Sequence, residues 1–219
     1  MYFSRVRISP NHLDEFAKQF QHNHYQLHQL LWKLFQDKPN KNRDFLFRQD
    51  TDKQGLPVFY VLSEYEPNPL IKTFLVETKP FNPQLKAGDQ LAFSLRANPV
   101  RKSKSCDGSS QYARHDVVMH LKKTLSETEI EQYSQAELEQ CAGERWLSQR
   151  AEKNGFQLLS VIAQGYQQHH FKKRKIKIST LDFDGVLQVT DIDKFKKVLF
   201  EGIGSAKSFG CGLILIKRA

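Results

Sequence analysis

The chain has 219 residues, 16 of them Phe, and 39% of its positions are hydrophobic. That length holds one large domain or two small ones with a real core, and the composition excludes a disordered tail. The formal net charge of +9 predicts a polyanionic partner.

In chain order, Phe3–Ile8 alternates apolar and polar residues and predicts an opening strand. His24–Phe35 carries Leu27, Leu30, Leu31 and Leu34 at helical spacing. Asp44–Gln49 and Pro57–Ser63 are β-rich and predict a hairpin. Pro67 and Pro69 bracket a turn, and Leu70–Thr78 predicts a short helix running into a strand. This β-α-β-β-α-β order is ferredoxin-like. The second half repeats the pattern. Gln90–Ala97 is a strand, and polar Arg101–Arg114 is expected to be a loop. Ser134–Lys153 carries the best helix pattern in the chain, with Gly155 just beyond it. Phe156–Gly165 and Lys175–Thr190 are strand-rich. Asp191 is placed to cap a helix over Ile192–Phe200, and Leu213–Ile216 closes the chain as a buried strand. The expected fold class is α+β, with tandem ferredoxin-like (RRM-like) domains at 1–86 and 87–219.

No apolar run is long enough to span a bilayer, and the first eight residues alternate rather than forming the apolar core of a secretory leader. Cys106, Cys141 and Cys211 are widely spaced with no Cys-x-x-Cys, which argues against a disulfide scaffold or a cysteine zinc site. A reducing cytoplasm is the expected compartment.

Three clusters can carry chemistry. In the first, His24 and His28 are one helical turn apart, as are Tyr25 and His28. A His pair at this spacing can hold zinc, but Tyr25 stands where His-Glu-x-x-His needs Glu, and no third ligand is evident. A phenol beside an imidazole suits acid–base chemistry. An amphipathic helix whose polar side carries histidines fits the same spacing. The second cluster is Lys172, Lys173, Arg174, Lys175 and Lys177. Such clustered cations bind phosphates by counterion release, and they also suit a solvated hairpin tip. The third is Gly202-Ile-Gly204-Ser-Ala-Lys207-Ser208-Phe-Gly-Cys-Gly212. Its glycines allow positive φ and close approach, and Lys207 and Ser208 can help cradle a phosphate. A tight helix-to-strand connection reads the same way. Arg96, Arg101, Lys102 and Lys104 form a weaker basic patch, expected to be a solvated strand end.

Together these stretches carry a resemblance. The run from Gly202 to Leu213 resembles the glycine-rich signature of CRISPR-associated precursor-RNA endoribonucleases. Tyr25-Gln-Leu-His28-Gln-x-Leu-Trp32-x-Leu-Phe35, Arg43-Asp-Phe-Leu-Phe47, Leu95-Arg96-Ala-Asn98-Pro99 and Asp184-Gly-Val-Leu187 sharpen it to the CasE type of the type I-E system. The resemblance implies tandem ferredoxin-like domains and metal-independent cleavage of a repeat hairpin, leaving a 2′,3′-cyclic phosphate. It implies no cofactor. Its implied partners are the repeat RNA hairpin and the other subunits of the Cascade complex, not a membrane, and the free protein is expected to be a monomer. His28 matches the family's catalytic histidine and Tyr25 its neighbouring tyrosine. Residues 172–177 fall where the family inserts a basic hairpin into the stem's major groove. RNA contacts are expected from Arg96, Lys172, Lys173, Arg174, Lys175, Lys177, Gly202, Gly204, Lys207 and Ser208. The competing class is a subunit that holds RNA without cutting it, or is purely architectural. A conventional single-strand reader is disfavoured because the aromatic RNP signature is absent.

Overall fold

The computed structural model describes residues 1–20, 24–35, 45–104, 112–171 and 176–219. Ten strands and six α-helices are laid out along them. The first half contains β1 (Tyr2–Ile8), α1 (Leu13–Phe20), α2 (His24–Trp32), β2 (Phe45–Thr51), β3 (Pro57–Ser63) and β4 (Phe74–Pro80). These strands form an antiparallel sheet in the order β2-β3-β1-β4. The second half contains β5 (Gln90–Ala97), β6 (Val100–Lys104), β7 (Tyr112–Asp116), α3 (Val117–Thr124), α4 (Glu127–Ile130), α5 (Gln135–Ala151), β8 (Phe156–Phe171), β9 (Ile176–Val189), α6 (Ile192–Glu201) and β10 (Ile214–Arg218). Its sheet runs β10-β5-β9-β8. Both orders are that of the ferredoxin-like fold, so the repeat predicted from pattern is a repeat of topology.

Alternation along each strand decides which face is covered. In β1, Val6 and Ile8 join Leu30, Leu31, Leu34, Phe45, Phe47 and Phe59 in the core beneath α1 and α2. In β5, Leu91, Phe93, Leu95 and Ala97 turn toward α5 and α6, where Trp146, Leu147, Phe183, Phe195 and Leu199 complete a second core. The opposite faces of the two sheets are joined by a smaller cluster, Leu46, Leu62 and Leu213, ringed by Met1, Phe3, Phe81 and Phe200. Three apolar clusters therefore build two units and the seam between them.

Local chemistry fixes the helices. Ser134 caps α5 in a capping box: its hydroxyl accepts from the Glu137 N–H while the Glu137 carboxylate accepts from the Ser134 N–H. Asp191 caps α6 by accepting from the Lys194 N–H.

The structure corrects three expectations. The predicted helix at Leu70–Thr78 is a set of turns followed by β4, so one crossover of the first unit has no helix. Arg101–Arg114, read as a loop, contributes instead to a β6–β7 ribbon paired from Val100↔Asp116 to Lys104↔Tyr112. The Tyr166 hydroxyl ties that ribbon to β8 by donating to Asp116 Oδ2 at 2.9 Å. Finally, β8 is far longer than predicted. β5 pairs with β9 only over Leu181–Gln188, whereas β8 and β9 pair on to Phe171↔Ile176. The hairpin thus projects past its sheet as a two-stranded ribbon.

Phe183 is fully buried and stacks on Trp146 with centroids 5.7 Å apart. Phe183→Ala should cost about 3–5 kcal/mol by leaving a cavity between α5 and the sheet. Urea unfolding should show this as a lower midpoint with an unchanged slope.

Candidate functional site

His28 sits on α2, four residues before Trp32 and half-buried. Its ring stacks on Phe45 at 5.4 Å and lies 5.9 Å from both Phe47 and Trp32. The expectation of a polar helix face is therefore wrong for His28. It stands at the rim of an aromatic core, held by two rings of β2 and one of its own helix. A ring fixed on three sides has few rotamers to lose, which suits a residue that must present one nitrogen in a defined direction. Tyr25 lies one turn earlier on α2, with its side chain outside the described residues. Among the described residues, no three His, Cys, Asp or Glu side chains converge as a metal site would require.

The glycine-rich loop leaves α6 and packs against both units. Gly202 ends α6, its N–H donating to Val198 O, and the Ile203 N–H donates to Gly212 O. A Cβ at Gly204, where φ is +81°, would lie 3.3 Å from the Trp146 ring. At Gly210 it would lie 3.3 Å from Phe47, the ring beside His28. At these two positions the close approach is thus to the protein's own aromatics, one from each unit. Lys207 folds back so that its ammonium donates to Glu201 O at the end of α6. Ser208 is half-buried in the short 3-10 turn Lys207–Phe209, which packs on α2 and β2. Phe209 meets Phe171 of the projecting ribbon at 4.9 Å.

Lys177 is exposed on β9, opposite His170. Lys172, Lys173, Arg174 and Lys175 fall between β8 and β9 and lie outside the described residues. So do the side chains of Lys102 and Lys104; Arg101 is exposed, with its guanidinium 2.7 Å from His120 Nε2.

Arg96 is not a solvated strand end. It makes a bidentate pair with Asp182, Nε to Oδ1 and Nη2 to Oδ2, both at 2.7 Å. Its remaining Nη1 donates to Gln49 O, on β2 of the other unit, at 2.7 Å. Burial works against the guanidinium's charge, but the Asp182 hydrogen bonds outweigh it and the Arg96 pKa rises. Arg48 runs the opposite way: Nε donates to Asp50 at 2.8 Å and Nη1 to Ser94 Oγ of β5 at 2.7 Å. Sequence reading missed this lattice of Arg48, Asp50, Ser94, Arg96 and Asp182. Its one visible signal was a strand, Phe45–Thr51, carrying Arg48 and Asp50 on the face opposite its phenylalanines.

Arg96→Met should lower unfolding stability by about 1–3 kcal/mol, the range for hydrogen bonds to charged groups reduced for a side chain 30% exposed. Arg96→Met with Asp182→Leu should recover part of that loss, since no carboxylate is then left unpaired. Equal losses in the single and double variants, measured by urea unfolding, would remove the pair from the seam.

Comparison with known proteins extends over the whole chain. The model of a family described as CRISPR associated protein matches residues 1–218. The chain is similar to CRISPR system Cascade subunit CasE of Escherichia coli (strain K12), 30% identical over 218 residues that cover 98% of each chain. It is similar to CRISPR-associated endoribonuclease Cse3 of Thermus thermophilus, 24% identical over 236 residues, 99% of each. A solved structure of Thermus thermophilus Cse3 bound to an RNA representing a pre-cleavage complex shares the fold, with TM-score 0.76 and 24% identity over 99% of this chain and 98% of that one. The crystal structure of Cas6e from Escherichia coli matches with TM-score 0.66 and 28% identity over the full length of both.

Proposed function

The chain belongs to the CRISPR-associated protein family, and on that premise we propose that it cleaves the repeat hairpin of CRISPR precursor RNA and stays on the product as a Cascade subunit. The observation that carries the reading is the end-to-end match to CasE, 98% of each chain, because it takes in α2, the glycine-rich loop and the projecting ribbon together. The unit at 1–86 carries Tyr25 and His28. The unit at 87–219 carries the ribbon and the loop. The reaction runs in the cytoplasm.

The nucleophile is the RNA's own 2′-hydroxyl. Its oxygen attacks the adjacent phosphorus, the bond to the 5′-oxygen breaks, and a 2′,3′-cyclic phosphate and a 5′-hydroxyl result. One proton leaves the 2′-oxygen and one reaches the leaving oxygen. His28 carries one of these transfers, with Tyr25 orienting or donating. A positioned acid or base contributes about 10²–10⁴-fold and alignment several kcal/mol more. No step calls for a metal-activated water, so the reaction is metal-independent on this reading. The A-form stem is recognised by shape, with Lys172, Lys173, Arg174, Lys175 and Lys177 against its phosphates. Gly202, Gly204, Lys207, Ser208 and Arg96 line the approach to the cut, and Arg96 reaches RNA only with what the Asp182 pair leaves exposed.

His28→Ala should lower single-turnover cleavage at least roughly 100-fold with hairpin binding little changed. A 2′-deoxy nucleotide just upstream of the scissile phosphate should stop cleavage, and EDTA should leave the unmodified RNA cut as before. Cleavage of the deoxy substrate, or a strict need for Mg²⁺, would make water the attacker. Hairpin bound but never shortened would make the chain a holding subunit.

Charge reversal at Lys172, Lys173, Arg174 and Lys175 should weaken hairpin binding and flatten its log–log salt dependence by about one for each phosphate no longer neutralised. An unchanged slope would leave this run a solvated tip.

A further inference from the structure

A cleft of about 320 Å³ opens where the two units meet, between the end of β2 and the projecting β8–β9 ribbon. The Arg96–Asp182 pair forms its floor, and Phe209 and Gly210 of the glycine-rich loop close one end. A single ring separates that end from His28. Gly210 abuts Phe47, and the Phe47 ring lies 5.9 Å from the imidazole. A group seated in the cleft is therefore a neighbour of whatever His28 acts on.

The lining is unlike the rest of the molecule. The chain is +9 overall, yet among the described residues the cleft's charged side chains are Asp50 and Asp182 against Arg96. Arg96 already directs Nε and Nη2 at Asp182 and Nη1 at Gln49 O. The buried Arg48 offsets Asp50 at 2.8 Å, so a phosphate would meet balanced charge and guanidiniums already hydrogen-bonded. A flat, uncharged group with amino donors can use what is left: carboxylates about a quarter exposed, and the half-buried edge of the Phe171–Phe209 ring pair, whose centroids are 4.9 Å apart. Clefts of this volume hold ligands of that size, and aromatic faces stack bases of any identity.

We infer that this cleft takes up one unpaired nucleobase of the bound RNA, next to the scissile phosphate, and favours a base with an exocyclic amino group. The inference rests on the proposed RNA-cleaving function. It makes base identity beside the cut, and not stem shape alone, a determinant of cleavage. The stem binds to the ribbon through phosphates, while the cleft positions the strand being cut.

The test uses hairpin RNAs with a single abasic site at each unpaired position flanking the stem. They are cleaved under single-turnover conditions by wild type, Gln167→Trp and Thr51→Trp. Gln167 and Thr51 are exposed on opposite rims of the cleft, so either tryptophan fills it without touching the core. With wild type, one abasic position should lower affinity or rate roughly 10- to 100-fold, the range for a missing base stack. Uracil there should fall between the abasic site and an amino-bearing base. Each tryptophan variant, if it melts like wild type, should cut intact RNA at the abasic rate and show no further abasic effect. Intact hairpin cut normally with no sensitive position, or full abasic sensitivity in both filled variants, would overturn the cleft assignment and leave the endoribonuclease reading standing. Failure of wild type to bind or cut intact hairpin would overturn that reading, and the cleft assignment with it.

Discussion

The two sheets of this protein meet through a guanidinium. Arg96 holds Asp182 within its own sheet and reaches across to a β2 carbonyl, while Arg48 reaches back from β2 to Ser94. The apolar seam of Leu46, Leu62 and Leu213 is small, and burial alone is non-directional. The fork geometry of an arginine is directional, and it fixes the angle between units that an apolar patch would leave loose. That angle matters because His28 is carried by one unit and the projecting ribbon by the other. On the proposed reading, an RNA engaged by the ribbon would be presented to the imidazole only if the seam holds its geometry.

The glycine-rich loop is the second tie, and its composition follows from what it touches. Gly204 lies against Trp146 of the second unit and Gly210 against Phe47 of the first, both at positive φ. A side chain at either position would be strained and would press on a ring. The loop therefore serves as a thin spacer between two aromatic cores. It brings the 3-10 turn with Ser208 and Phe209 against α2. Cys211, within the same loop, is fully buried, and burial pushes its thiol up to about 12. It is a packing residue that stays protonated, which fits a reaction whose nucleophile comes from the substrate.

Much of the fold was legible because local rules and topology agree here. The capping box at Ser134, the cap at Asp191 and the alternation in β5 each fix an element from a few neighbouring residues. The misread segments are those where local composition opposes tertiary context. Arg101–Arg114 is polar, and its β6–β7 ribbon is tied down by the Tyr166–Asp116 bond, a partner 50 residues away. Arg96 looked solvated because alternation reveals which strand face is apolar, not whether another sheet covers the polar one. Its partner Asp182 is 86 residues distant. His28 was read on a polar face because helical spacing shows its helical neighbours, while the rings that seat it, Phe45 and Phe47, come from a strand beyond the helix. Spacing and motif resemblance found the candidate catalytic residue; its aromatic setting came only with tertiary structure.

The charge distribution separates two tasks that one basic surface would confuse. Cations bind any phosphate, so a uniformly positive groove would hold an RNA stem in many registers with similar energy. Lys177 lies exposed on the projecting ribbon, and Lys172, Lys173, Arg174 and Lys175 fall between its two strands in the sequence. The seam itself carries Asp50 and Asp182 paired with the guanidiniums of Arg48 and Arg96. On the proposed reading, a strand held by cations on the ribbon would meet no uncommitted cation at the seam, so contacts there would discriminate by shape and hydrogen bonding rather than by phosphate attraction.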